Sequence, residues 1–220
     1  MWDHETIMMI VQGVGETLYM TVLSTVLGYL FGLPMGVLLA VSDKEGLKPN
    51  AVLYKILDAI ANIVRSYSVS DLTDPVDSFL PEQWWGKSYG STATVVPLVV
   101  AAIPFIARMV ESSIKEVDAG VIEAARAMGA SNIRIIVKVL LVEARTSLIT
   151  GATIAIGTIL GYSAMSGAVG GGGLGDIAIR YGYYRYQSDI MIVTVILLVV
   201  LVQIFQSVGM MIANKIDRRK

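Results

Sequence analysis

The residues able to do chemistry in this chain are few, and their spacing argues against catalysis. Among 220 residues there is no cysteine and one histidine, His4. Disulfides and thiolate metal sites are therefore excluded. His4, at the polar start of the chain, reads as a solvated terminal histidine. An intramembrane enzyme would need paired catalytic or metal-binding residues within its apolar segments, and these are lacking. Gly170-x-Gly172-x-x-Gly175 has the formal spacing of a dinucleotide loop, but it follows an apolar run with no βαβ unit around it. Gly86-Lys87-Ser88 ends like a phosphate loop, yet Pro81 stands where its glycine-rich turn should begin. Neither motif reads as a nucleotide site, so no cofactor is expected on this chain. The glycines at 170–175 are better suited to a sharp turn. What remains is Glu123-Ala-Ala-Arg-Ala-Met-Gly129, preceded by Gly120. Glu123 is expected in a first helical turn, where a carboxylate complements the helix dipole. Ala124, Ala125 and Ala127 give the helix a slim face, and Gly129 suits a left-handed position after its end. Such a helix is a rigid peg for a cleft in another protein; the alternative is an amphipathic interfacial helix. Its candidate contact residues are Gly120, Glu123, Ala124, Ala125, Met128 and Gly129.

The elements that position this peg lie in a membrane. The chain is 55% hydrophobic and 16% charged, with a net charge of −1. That leaves room for four to six membrane helices of roughly 20 residues each and little for a soluble domain, and gives no sign of nucleic-acid binding. The acidic, polar N-terminus lacks the basic region of a cleavable signal peptide. Apolar spans fall at about 17–41, 93–110, 147–169 and 190–213. The first belongs to a longer apolar stretch, Ile7 to Val41, interrupted by Gln12 and Glu16. Gly28, Gly32 and Gly36 share one helix face; this fits either close helix contact in lipid or ordinary tolerance of glycine. Ala51 to Ser66 is amphipathic, with Lys55, Asp58 and Arg65. Tyr162, Ser163 and Met165, among small neighbours, fit a translocation path near its outer end as well as they fit ordinary packing. Tyr181, Tyr183, Tyr184 and Tyr186 read as an interfacial aromatic anchor.

Charge parity contradicts a count of four spans. Cytoplasmic segments carry an excess of Lys and Arg. By that rule the loop with Lys44, Lys48 and Lys55 is cytoplasmic, and so are the loop at about 111–145 and the tail with Lys215, Arg218, Arg219 and Lys220. Two loops on the same side must be separated by an even number of spans, and hydropathy finds only one. A further span is expected between Lys55 and Thr92. Yet Tyr67 to Gly86 carries Asp71, Asp74, Asp77 and Glu82, each costing about 2.5–3.5 kcal/mol at a helix centre. A shifted reading frame resolves the conflict. With suitable codons for Tyr67 to Phe79, removing one nucleotide yields Ile-Pro-Phe-Leu-Ile-Leu-Leu-Ile-Pro-Leu-Ile-Pro, which is apolar enough to open a membrane helix. The alternative is a genuine polar loop with a different topology.

The pattern Glu123-Ala124-Ala125, three residues, Gly129, nine residues, then Val139 and Leu141 resembles the EAA loop of permease subunits of ATP-binding-cassette importers. Val142 stands where proline is usual. The resemblance extends to the methionine-importer permease family, through Pro104 to Glu111, Gly161 to Asp176 and Arg180 to Gln187. Asn132 and Thr146 also replace frequent prolines. The resemblance implies an all-α polytopic protein with the type I importer permease fold. It also implies one transmembrane permease domain over 1–220, with a cytoplasmic coupling loop at about 111–145. Five transmembrane helices are expected, the second disrupted here, with the N-terminus outside and the C-terminus in the cytoplasm of an inner membrane. Family members usually open that second span with Arg-Ser-x-Pro-Phe; this chain keeps Arg65-Ser66 and then departs. The implied assembly is a homodimer with two ATPase subunits, which hold ATP and Mg, and an extracytoplasmic substrate-binding protein. Contact with that binding protein is the alternative reading of the tyrosines; Arg180 and Arg185 fit pairing with its acidic groups as well as plain solvation. The implied cargo is methionine. A self-contained secondary transporter would instead need ionisable residues facing a midplane cavity and would leave the EAA loop without a purpose.

Overall fold

The computed structural model describes residues 3–66 and 90–217. The described chain is helical: α1 (His4–Ser42), α2 (Ala51–Ser66), α3 (Ser91–Lys115), α4 (Ala119–Ala127), α5 (Asn132–Ile135), α6 (Leu141–Glu143), α7 (Arg145–Ser166), α8 (Gly173–Ile177) and α9 (Ser188–Ile216). π-helical turns cover Ile136–Leu140 and Ala178–Tyr183, and a 3₁₀ turn covers Gly167–Val169. Among the described residues four helices are long and apolar enough to cross a membrane: α1, α3, α7 with its 3₁₀ extension, and α9.

Each begins earlier than hydropathy places it. α1 starts at His4, whose N–H is received by the Asp3 side chain at 2.9 Å, and His4 itself is exposed. It continues through Gln12 and Glu16, which hydrogen-bond each other at 3.0 Å. A polar pair at i and i+4 lowers mean hydropathy without breaking the helix.

The stripe Gly28, Gly32 and Gly36 is where α1 meets α3. A Cβ at Gly28 would stand 2.8 Å from Ile106 Cδ1, at Gly32 2.9 Å from the Ile103 carbonyl oxygen, and at Gly36 2.5 Å from the Ala107 carbonyl oxygen. Of the two readings of this stripe, close helix contact is the one the structure adopts. Rising numbers on α1 meet rising numbers on α3, so the two helices run parallel. α7 runs against α3, with Ser147 bonded to Ser113 at 3.0 Å. α9 runs against α7, with Gly209 seated on Thr153 and Gly157 near Gln206.

These directions gather the C-terminal ends of α1, α3 and α9 and the start of α7 at one end of the bundle. Lys44, Lys48, Lys115, Arg126 and Arg145 cluster there, as charge parity requires. Parallel α1 and α3 also require the chain to return across the bundle between Ser42 and Ser91. α2 begins that return: Tyr54 meets Glu111 and Asp58 meets Arg108, so α2 climbs antiparallel to α3. The amphipathic segment is therefore the first part of the crossing. Tyr67 to Gly86, where the frame shift is expected, lies outside the described residues.

Candidate functional site

The segment between α3 and α7 hangs from the basic end of the bundle. α4 is capped at its start by Asp118, whose carboxylate receives the Gly120 N–H at 2.7 Å. Glu123 is therefore in the second turn, where the expectation placed it in the first. The physical reason is the Asp118 cap, which starts the helix at Ala119 and makes Gly120 its second residue. Asp118 was a legible signal, because an aspartate before an alanine-rich run is a favoured N-cap. The far end follows the expectation. Gly129 has φ +77°. Its N–H donates to the Arg126 carbonyl at 2.9 Å, and the Ala130 N–H donates to the Ala125 carbonyl at 3.1 Å. This pair of bonds is the Schellman closure, which satisfies the last carbonyls of the helix.

α4 has two faces. Ala125 is buried and packs with Leu47, Ile135 and Leu140, with Ile122 partly covered beside it. Gly120, Glu123, Ala124, Ala127, Met128 and Gly129 are exposed, and Met128 is 81% exposed. Of the six candidate contact residues, five are thus presented outward, while Ala125 anchors the helix. The outward surface is larger than the motif indicated. Ile133 at 75% and Val137 at 53% exposure extend it along α5 and the π-turn. A cavity of about 320 Å³ lies beside the contact of α4 with the α1–α2 turn, with Asp43, Glu45, Lys115, Glu123 and Arg126 among its lining residues.

Behind α4 lies a polar network that sequence reading missed. Glu111, 4% exposed, receives Arg108 at 2.9 Å, Lys115 at 2.8 Å and the Tyr54 hydroxyl at 3.1 Å. Arg108 also pairs with Asp58 on α2, and Lys115 with Asp43 at the end of α1 at 2.8 Å. The Lys115 hydrogen bond, with the Lys44 N–H and the charges of Lys115 and Lys44, holds the Asp43 carboxyl below its ordinary value against the opposing effect of burial. The i, i+3 and i, i+4 spacing of Arg108, Glu111 and Lys115 was visible in the sequence. Their partners on α1 and α2 were not, because only the fold brings those helices alongside.

At the opposite end the glycine-rich segment makes a tight turn. Gly170, Gly172 and Gly173 all have positive φ, a conformation that glycine adopts without steric cost. Two polar side chains of α1 hold it: Glu16 receives the Gly173 N–H at 2.8 Å and Thr17 receives the Leu174 N–H at 2.9 Å. Of the residues assigned to a translocation path, Met165 is 60% exposed, Tyr162 packs partly against the cluster of Met20, Val95 and Leu98, and Ser163 is buried. The Ser163 hydroxyl donates to the Leu160 carbonyl at 2.8 Å. These three side chains do not share one surface of the protomer. Tyr183, Tyr184 and Tyr186 are exposed, Tyr183 and Tyr184 meet edge to face, and Arg185 stacks over Tyr181 at 4.5 Å. Arg180 is paired with Asp176 at 2.9 Å.

The model of the binding-protein-dependent transport system inner membrane component matches residues 32–220. The chain belongs to this family. It is 46% identical over 207 residues to the probable D-methionine transport system permease protein MetI of Vibrio cholerae, covering 93% of this chain and 90% of that one. It is 47% identical over 159 residues to the D-methionine transport system permease protein MetI of Escherichia coli K12, covering 72% and 73%. A solved structure of inward-facing conformations of the MetNI methionine ABC transporter matches with a TM-score of 0.95 and 45% identity, over 99% of this chain and 100% of that chain. At 18% identity, an amino acid ABC transporter with histidines shares the fold, with a TM-score of 0.77. This inner membrane component is thus a multi-pass permease subunit of an ATP-binding-cassette importer with the type I fold, and a transport subunit, not an enzyme.

Proposed function

We propose that the subunit carries methionine inward as a homodimer, driven by two ATPase subunits that hold ATP and Mg. The observation that carries this reading is α4, closed by a cap at each end, rooted through Ala125 and open along Gly120, Glu123, Ala124, Met128 and Gly129. A short helix so presented fits a cleft on a soluble partner. ATP binding draws the ATPases together, moves the two α4 helices, and shifts the pore between its inward- and outward-facing states. The permease biases this equilibrium through differential contacts and makes no covalent bond. The N-terminus lies outside and the basic end, with the C-terminus, in the cytoplasm; the clustering of Lys and Arg supports this orientation. α9, apolar and largely exposed in the protomer, offers surface to lipid and to a second copy. An extracytoplasmic binding protein delivers the cargo to the end that carries the exposed tyrosines. The outer half of α7, with Tyr162, Ser163 and Met165, borders the path, and the exposure of Met165 supports that placement most directly. The choice of methionine rests on the named transport function of the relatives.

Affinity-tagged permease, purified in detergent from its own host, is expected to bring down an ATPase. The reconstituted assembly, supplied with the binding protein, is expected to take up radiolabelled methionine only with ATP. Purification of a permease free of any ATPase would overturn the importer reading. ATP-driven uptake of a different amino acid, with methionine excluded, would overturn the cargo alone.

A further inference from the structure

A polar bond outside its own segment fastens α4 to the bundle. Arg126 donates from Nη2 to the carbonyl oxygen of Leu47 at 2.9 Å. Leu47 sits on the turn joining α1 to α2, and that turn is tied to the end of α1 by backbone hydrogen bonds. Gly46 N–H to Asp43, Lys48 N–H to Val41 and Asn50 N–H to Ser42 fold it back on the last residues of α1. Gly46 leaves no room for a side chain, since a Cβ there would stand 2.4 Å from the Val41 carbonyl oxygen. The same turn begins at Asp43, which Lys115 of α3 holds at 2.8 Å, and ends at Asn50, whose side chain caps α2 by receiving the Val52 and Leu53 N–H groups. A push on the Leu47 carbonyl therefore acts on the end of α1 and the start of α2 together.

We propose that Arg126 is a positioning residue for transport: its bond to the Leu47 carbonyl makes α4 and the α1–α2 turn move as one body, so that displacement of α4 by the ATPase reaches α1 and α2 directly. Through the chain alone α4 is joined to α3 and, by way of α5, to α7. The Arg126 bond adds the two helices the chain does not reach; among the described residues side-chain packing is the alternative link. Because the acceptor is a backbone carbonyl, the tie is independent of the side chain at position 47 and depends on the donors of Arg126. This inference rests on the reading of α4 as the ATPase-docking helix.

The test uses the reconstituted assembly of permease, ATPase and binding protein, and reads methionine moved per ATP hydrolysed. Arg126→Met keeps the aliphatic stem and removes the donors; Arg126→Lys keeps the charge on one donor nitrogen but loses the planar fork. Arg126→Met is expected to assemble and hydrolyse ATP normally while the ratio falls about 2- to 30-fold, with Arg126→Lys in between. Gly129→Val serves as the reference for disturbing α4 itself. A normal ratio in Arg126→Met beside a lowered ratio in Gly129→Val overturns the tie and leaves the docking reading standing. Normal ratios in both overturn the docking reading, and the tie with it. If Arg126→Met weakens capture of the ATPase at an unchanged ratio, or fails to assemble while Arg126→Lys couples normally, Arg126 serves docking or folding and the proposal falls.

Discussion

Gly36 on α1 faces the carbonyl oxygen of Ala107 on α3 so closely that a Cβ at Gly36 would stand 2.5 Å from it. Backbone on one side and the branched Val110 side chain on the other, 2.6 Å from the same point, leave little that can yield. Gly36→Ala should therefore force the two helices apart and destabilise the protein by about 1–3 kcal/mol. Gly28→Ala meets first the terminal methyl of Ile106, which can rotate away, and should cost less. Thermal unfolding of the purified protein in detergent would rank the two variants; equal midpoints would show that the α1–α3 seam is not held this tightly.

Asp43 sits just past the end of α1 with its carboxylate on Lys115, and its pKa is lowered, chiefly by that hydrogen bond. A carboxyl whose folded pKa lies below its unfolded value adds stability that is present above the unfolded value, about 3.9, and lost as pH falls through the folded one. The difference in unfolding midpoint between the native protein and Asp43→Asn is thus expected to be constant from pH 7 to about 5 and to shrink below about 4. A difference that instead changed between pH 5 and 7 would assign the effect to another group.

Gly129 is the position where the peg depends on one backbone conformation. A β-branched residue at φ +77° is strained by about 1–2 kcal/mol, enough to loosen the Schellman closure and free the end of α4. Gly129→Val should lower methionine uptake per ATP hydrolysed in liposomes, while Gly129→Asn, which tolerates the left-handed region, should retain most of it. Full coupling in Gly129→Val would show that the closure of α4 is not needed for transmission.

What was legible in the sequence was whatever follows from local pattern. Apolar runs placed the four long helices, and the EAA pattern placed α4 and its glycine stop. Gly28, Gly32 and Gly36 shared a face at any helical pitch, although their partner was not visible. What was missed depends on which helices lie side by side. Asp43, Asp58 and Tyr54 are ordinary loop and helix residues until α1 and α2 are packed on α3, where Tyr54 meets Glu111 and the two aspartates pair with its partners Lys115 and Arg108. Glu16 counted as a flaw in an apolar run until the Gly172–Gly173 turn met it from 157 residues away. Ser163 and Met165, two residues apart on α7, read alike by composition, but one faces the protomer core and the other its surface. The start of α4 is a different kind of miss: Asp118 was there to be read, and the glycine at 120 drew the boundary one residue late.

The parallel course of α1 and α3 bears on the stretch between them. The chain must return across the bundle between Ser42 and Ser91, and α2 has begun that return. Sixteen residues of helix rise about 24 Å at 1.5 Å per residue, short of the roughly 30 Å hydrocarbon core, and charge parity expects a further span between Lys55 and Thr92. As written, that interval holds Tyr67 to Gly86 with Asp71, Asp74, Asp77 and Glu82, each costing about 2.5–3.5 kcal/mol at a helix centre. With suitable codons, a single-nucleotide shift after Arg65-Ser66 continues the chain as Ile-Pro-Phe and an apolar run, which resembles the Arg-Ser-x-Pro-Phe opening expected of the second span. Resequencing the gene is expected to find one nucleotide fewer at the start of this stretch and a compensating change before about Gly86. The restored protein should insert and take up methionine, while the version carrying Tyr67 to Gly86 should be degraded or inactive. An unbroken frame encoding Tyr67 to Gly86, in a protein that inserts and transports, would mean that four carboxylates are tolerated in this return, and the frame-shift reading would be abandoned.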